Sequence, residues 1–311
     1  MSIRSVIACL LVLVTVLCAS VSCRGSAASD PTNPGDTSGD LNISFACQLL
    51  LAEINASRRA AGLDDVELDA TATESAQAHA DEMAAMGYLS HLDSNGLNPV
   101  ERYNIAGGWE PSYENAWRKR GDANLDLDAV KKMHADAMGS ALHRDNVLTP
   151  DHTHVGIGFH YDAAGDALYG VELFTSRHAY SVGIDSRECS VGESVGYLAS
   201  FDPDEVMFTE LLLARGGAPL AQTAAWLNAN PHYDLPDDYI ALYVETGADN
   251  VTLPGAVRRA VLEYDRASGM VSGDVLIEQG WQPGVYYLYT WGRYTDSRSK
   301  VLLSMLTVNA G

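Results

Sequence analysis

The chain has 311 residues, of which 47% are hydrophobic, and 41 acidic side chains oppose 20 basic ones for a formal net charge of -21. That length suits one large or two ordinary domains with a real core. No basic stripe runs through it, so binding nucleic acid by phosphate neutralisation is excluded as a working class, and the uniform acidity speaks mainly of solubility.

At the start, Arg4 is the only charge before an almost wholly apolar run from Val6 to Leu17. The run is shorter than the roughly 20 residues a membrane-spanning helix needs. A basic flank, a short apolar core and small residues after it predict a signal peptide over residues 1–22, cut near Ser20 or Ser22. Ser20-Val21-Ser22-Cys23 resembles a bacterial lipobox, with Ser20 where leucine is usual. Lipidation at Cys23 and plain secretion both stay open; a retained hydrophobic anchor is the third option. Residues 23–43, rich in Ser, Asp, Gly and Pro, read as a flexible tether. The expected location is extracytoplasmic, secreted or lipid-anchored at a cell envelope. Five cysteines are present, and Cys9, Cys18 and Cys23 belong to the export segment. Cys47 and Cys189 remain, either as a disulfide stapling the ends of the first domain or as free buried thiols. Asn42, Asn55 and Asn250 fit the glycosylation triplet.

From Ser44 on, Leu50, Ile54 and Arg58 follow helical spacing, and Gly62 ends the segment. Thr71 to Met86 is the clearest helix. Thr71 and Glu74 have capping-box spacing, Ala72, Ala76, Ala80 and Met83 form one apolar stripe, and Gly87 stops it. Leu89 to Trp117, broken by glycines and prolines, is irregular. Asp126 to His143 is helical, with Val130, Met133, Ala137 and Ala141 on one face. Period two follows: Val155, Ile157, Phe159 and Tyr161 alternate with Gly156, Gly158 and His160, and Leu168 to Thr175 returns as the second strand of a hairpin. After Cys189, short candidate strands recur at Val191–Phe201, Val206–Leu213, Ala221–Leu227, Tyr239–Thr246, Val257–Tyr264, Val271–Ile277, Gly284–Trp291 and Leu302–Val308. Their spacing predicts a sandwich-like β domain over residues 190–311, though Val206–Leu213 also suits a helix. Tyr287, Tyr289 and Trp291 share one face there, either exposed for sugar or protein contact or, the preferred reading, buried in the core or between domains.

Four segments appear in order: Tyr88-Leu89-Ser90-His91, Tyr113-Glu114-Asn115-Ala116, Leu142-His143-Arg144-Asp145-Asn146-Val147-Leu148 and Val155-Gly156-Ile157-Gly158. With the opening Leu50–Arg58, they resemble the bacterial branch of the CAP superfamily, or SCP domain, over about residues 44–176. The resemblance implies an α+β fold: a three-layer α/β/α sandwich with a central antiparallel sheet (residues 44–178), followed here by the β domain. It also implies a cleft with two histidines and two acids. By position, His91, Glu114 and His143 match three of these. Ser140 stands where the family often has glutamate, Asp136 and Glu172 are nearby acids without a motif match, and Tyr113 replaces the usual glycine, a bulk expected to narrow the cleft. Asn146 is expected to brace the loop after His143.

Two imidazoles and a carboxylate can hold a divalent metal, zinc or magnesium, through His91 and His143. They can equally form a general base or a structural hydrogen-bonded cluster. No nucleophile occupies a motif position; Ser90, adjacent to His91, reads as a packing or hydrogen-bonding serine. His152, His154 and His160 read as solvated, and His134 as a core-flanking residue. Eight of nine histidines lie between His79 and His178, placing any imidazole chemistry in the first domain. The leading expectation is a binding protein for a lipid, a small hydrophobic molecule, an envelope component or a protein partner. A metal-assisted hydrolase using His91, Glu114 and His143, and an adhesin acting through the β domain, are the alternatives.

Overall fold

Asn42 opens the first helix by accepting the Ser44 amide on its side chain, and α1 (Ile43–Ala60) then buries Leu50, Ile54 and Arg58 as their spacing predicts. The computed structural model describes residues 42–121, 124–245 and 258–311. The export segment, Cys23, the tether up to residue 41 and Asn250 lie outside the described residues. A short strand, β1 (Glu67–Leu68), precedes α2 (Ala70–Met86). The N-cap of α2 is Asp69 rather than the expected Thr71, because the Asp69 carboxylate already accepts the Ala72 amide. Gly87 closes the helix at φ +73°, a left-handed conformation that favours glycine.

The stretch expected to be irregular contains α3 (Pro99–Ile105), with a capping box between Asn98 and Glu101, and β2 (Ser112–Arg120). The next helix is broken in two. α4 (Leu127–Gly139) ends where Ser140 turns extended, and α5 (Ala141–Val147) carries His143. The hairpin is as expected, β3 (His154–Asp162) and β4 (Ala167–Thr175). The four strands run in the order β1-β3-β4-β2, antiparallel except for the two-residue β1–β3 pairing. α2 and α3 cover one face of the sheet and α1, α4 and α5 the other, the three layers expected.

The Gly-x-Gly pattern of β3 serves the first of these interfaces. A Cβ on Gly156 would lie 2.0 Å from the backbone carbon of Ala72, and one on Gly158 2.5 Å from that of Ala76. Strand and helix backbones are therefore in direct contact through the alanine stripe of α2. Gly156→Ala should cost about 3 kcal/mol, since neither backbone can give way; the midpoint of urea unfolding measures it.

The C-terminal part comprises β5 (Ser181–Ile184), β6 (Glu188–Cys189), β7 (Ser194–Ser200), β8 (Val206–Arg215), α6 (Ala224–Ala229), β9 (Tyr239–Glu245), β10 (Arg258–Asp265), β11 (Met270–Leu276), β12 (Gly284–Tyr294) and β13 (Lys300–Ala310). Val206–Leu213 is thus strand, and the expected strand at Ala221–Leu227 is mostly helix. All nine strands form one sheet in the order β5-β7-β11-β10-β9-β8-β12-β13-β6. Its two edge strands are neighbours in the chain: β5 pairs with β7, and β6 pairs with β13. The two ends of the sheet are thus joined through residues 185–187, and the sheet wraps a shared core, with β10 pairing with β9 over Arg258–Leu262 and with β11 over Glu263–Asp265. Inside lie Tyr197, Phe201, Phe208, Leu211, Tyr243, Leu288 and Leu303, with a buried hydroxyl chain from Tyr197 to Thr290 (2.6 Å) and from Ser304 to Thr290 (2.8 Å).

Tyr287, Tyr289 and Trp291 lie on the outer face with Leu212, Leu242 and Met305, packed with Val100 of α3. Asn98 donates to the Tyr287 hydroxyl at 2.6 Å. The aromatic row packs between α3 and the second sheet, and the described residues form one compact unit. Cys47 and Cys189 are both free, against the disulfide alternative. Cys47 is buried under the first sheet with its thiol donating to the Ile157 carbonyl, and Cys189 pairs along β13 in the second sheet. Asn55 is also buried, its amide spent on the Val66 backbone, so it is no glycan acceptor.

Candidate functional site

Glu114 is the electrostatic centre of the cleft. It sits on the edge strand β2 and is buried. One oxygen accepts the His91 Nδ1–H at 2.9 Å, and the other accepts Arg102 Nη2 at 2.6 Å. Arg102, from α3, also donates to the His91 and Leu97 carbonyls at 2.8 Å each. His79 of α2 lies behind, its Nε2–H donating to the Ser90 carbonyl at 2.9 Å and standing 3.9 Å from Glu114. Burial by itself would raise the Glu114 carboxyl, but Arg102, His79 and His91 outweigh it and hold it down at about 2. Burial, reinforced by Arg102, lowers His79 to about 4, so this imidazole is neutral. A carboxylate of such low basicity, with both oxygens engaged, is a poor general base. It holds the His91 ring in place through the Nδ1 hydrogen bond.

His143 projects from α5. Burial lowers its proton affinity, and so does the proximity of His91 and His232. His143 thus feels the charge of His91 and of a third imidazole, His232. His232 belongs to the 216–238 connection between β8 and β9, and its ring centroid is 6.2 Å from that of His91. Tyr233 meets His91 edge-on at 5.9 Å. The concentration of histidines in the first domain hid this contributor, and only tertiary folding reveals it.

The second acid of the cleft is absent. Ser140 caps α5 without a side-chain bond to it, and lines a groove of about 280 Å³ with His143, Trp117 and Met133. Asp136 is tied to Lys132 at 2.9 Å on the helix surface. Glu172 is fully buried, with one oxygen accepting from Asn115 at 2.9 Å and the other unpartnered. Tyr113 points to the opposite face of β2 from Glu114, as strand alternation requires, and packs 5.5 Å from His152, so it does not crowd Glu114. Among the described residues no three His, Cys, Asp or Glu side chains are placed to hold a metal ion. With Glu114 saturated and Ser140 replacing an acid, the donor set does not fit the zinc or magnesium site entertained for His91 and His143.

Behind α5 runs a polar brace. Asn115 donates to the His143 carbonyl at 3.2 Å, Asn146 donates to Asn115 at 3.1 Å, and His152 donates through Nε2 to Asn146 at 3.0 Å. Asn146 thus braces as expected. His152 is buried and stacked on Phe174, not solvated, because it accepts from Ser176 and completes this chain. His154 hydrogen-bonds Thr153 and lies 3.3 Å from Arg177, and His160 pairs with Asp81. His134 is buried against Ser57.

Burial raises Glu172 to about 7, only partly offset by the Asn115 bond. A carboxyl raised in the folded state takes up a proton on folding, so its contribution fades as pH rises from about 4.5 through 7. Glu172→Gln should therefore match wild type at pH 4 and exceed its stability by roughly 2–3 kcal/mol at pH 8, checked by urea titrations at both pH values.

The sequence matches the cysteine-rich secretory protein family, CAP, over residues 51–176. Residues 51–176 form a CAP domain. The protein is 26% identical over 136 residues to the uncharacterized protein YkwD of Bacillus subtilis (strain 168), a match covering 44% of this chain and 50% of the relative. The chain thus spans about half the length of that curated relative. Two solved structures are similar. An outer surface protein from Borrelia burgdorferi has 17% identity and a TM-score of 0.39, covering 44% of this chain and 96% of that one. An extracellular protein containing a SCP domain from Bacillus anthracis str. Ames has 19% identity and a TM-score of 0.37, covering 43% of this chain and 41% of the other. The CAP match ends at Ser176, just before β5 opens the second sheet.

Proposed function

We propose that the protein is an exported CAP-domain binder, which holds a lipid, a small hydrophobic molecule, an envelope component or a protein partner at the His91–His143 cleft without transforming it. The carrying observation is the state of Glu114. Its two oxygens are bound by His91 and Arg102, it stays ionised to about pH 2, and it activates neither water nor a nucleophile. Ser90 offers no alternative chemistry, since its hydroxyl donates to the Asn230 carbonyl at 3.1 Å and accepts the Leu92 amide. Tyr287 and Tyr289 are buried and Trp291 is partly buried beside them, which favours a packing role for this row over an adhesin surface.

A bound ligand raises the melting temperature by mass action without being consumed. Envelope lipids and extracts titrated against the full chain, with product analysis by mass spectrometry, should give a melting shift that His143→Ala diminishes, and no turnover. Turnover lost on His143→Ala at unchanged melting temperature would favour the hydrolase. Export and lipidation at Cys23 are read from the mass of the mature N-terminus.

A further inference from the structure

A cavity of about 320 Å³ lies between α2 and α3, with the 93–97 loop in its wall and none of His91, Glu114 and His143 lining it. Two side chains of that wall are buried with a polar atom unsatisfied. His79 is 1% exposed; its Nε2–H goes to the Ser90 carbonyl and its ring is neutral, so Nδ1 is an acceptor without a donor. The Arg102 side chain is 9% exposed and its Nη atoms are spent on Glu114 and two carbonyls, but its Nε–H finds no acceptor. A buried polar atom without a partner is rare and costly, and two in one cavity wall mark a place for a polar ligand.

The cavity is also short of positive charge. Glu74, Glu82 and Asp93 line it. Arg102, already paired with Glu114 at 2.6 Å, is the only Lys or Arg between Arg59 and Arg118. Glu82 commits one oxygen to the Ser94 amide at 2.8 Å, and Asp93 commits one to the Asn95 and Leu97 amides at 2.9 and 2.8 Å. The second oxygen of each accepts no hydrogen bond from the described residues. Leu97 and the exposed Ile105 supply an apolar wall. A metal ion does not match, since among the described residues no three His, Cys, Asp or Glu side chains are placed to hold one. A simple amine would leave Arg102 without an acceptor, and a simple alcohol would leave the carboxylates without a cation.

We propose that this cavity binds a small amino alcohol, its ammonium group on Glu82 and Asp93 and its hydroxyl group on the unpartnered His79 and Arg102 atoms. An ammonium brings only donors, and a hydroxyl brings one donor and two acceptor lone pairs, which is the set these four side chains lack. The site is separate from the His91–His143 cleft, so its test does not depend on the binding function proposed above.

The full chain, isotope-labelled in its histidine ring nitrogens, is titrated at neutral pH with ethanolamine, a free amino alcohol, and with glucosamine, an amino sugar. The His79 Nδ1 resonance should move saturably with a Kd of about 1 mM, as suits so few ligand atoms. Ethylammonium, which lacks the hydroxyl, and ethylene glycol, which lacks the charge, should each bind at least about tenfold more weakly. Glu82→Gln, which can still accept the Ser94 amide, should weaken ethanolamine about tenfold. Ala78→Phe, an exposed change on α2 at the cavity wall, should block binding while the protein melts as wild type does. Movement with ethanolamine alone would identify a free amino alcohol, and tighter binding of glucosamine an amino sugar; either upholds the site. No saturable movement with either compound would overturn the inference, the cavity then holding water alone. Equal movement with ethylammonium would overturn it as unspecific ion pairing, and undiminished binding by a natively melting Ala78→Phe would overturn it by placing the ligand elsewhere.

Discussion

Arg58→Ala should be the most damaging single substitution in the protein, lowering stability by about 4 kcal/mol or more. The guanidinium is fully buried and makes no carboxylate contact. Its donors go to four carbonyls instead: Asp64 at 2.8 Å, Val147 and Thr149 at 2.9 Å each, and His152 at 3.0 Å. It ties α1 to the chain that leaves α5, and so fixes the helix from which His143 projects. Alanine would remove every one of these bonds and leave buried carbonyls without partners. Lysine should rescue little, because an ammonium lacks the planar fork that reaches acceptors in several directions. Urea unfolding of both variants measures the loss, with an unchanged m-value confirming that the native state is what was weakened. A loss below about 1 kcal/mol for alanine would show that water replaces the guanidinium.

Glu114→Ala should cost about 3–5 kcal/mol, the price of stranding a buried cation. Arg102 would keep its bonds to the His91 and Leu97 carbonyls but lose its counter-ion, and His91 would lose the acceptor that orients its ring. The same substitution should alter acid unfolding. Glu114 titrates at about 2 in the fold against an ordinary 4.5, so its contribution is complete above 4.5 and disappears as pH falls through 2. Wild type should lose roughly 3 kcal/mol over that interval from this group, and Glu114→Ala should not. Glu172 acts between pH 4.5 and 7 with the opposite sign, so the two carboxyls separate in a pH series.

Elements with strong local signals were legible. The α2 stripe, the β3–β4 hairpin and most strands of the second sheet follow from periodicity, since one buried face imposes a spacing of 3.6 or 2 on the apolar residues. α3 was missed because it is a seven-residue helix between breakers, although Asn98 and Glu101 carry a capping box. The strand expected at Ala221–Leu227 failed because its apolar run packs only Leu227 and is otherwise set by the Thr223 cap. The apparent single helix from Asp126 to His143 conceals a break at Ser140, which the Gly139-Ser140 pair marks in the sequence.

In the site, the order of motif segments pointed to His91 and Glu114, which the structure joins by a hydrogen bond, and to His143, which lines a groove with Ser140. Arg102, His79, His232 and Tyr233 were not readable this way. They come from α2, α3 and the connection after β8; charge balance around a buried carboxylate selects His79 and Arg102, and ring contact with His91 selects His232 and Tyr233, both non-local properties. The sequence by itself determined the elements, the CAP domain and its three motif positions, since these depend on local periodicity and ordered spacing. Only the tertiary structure decided that Glu114 is charge-balanced, that the nine β strands wrap a shared core and that the connection after β8 reaches His91, because those outcomes depend on contacts between segments up to about 140 residues apart.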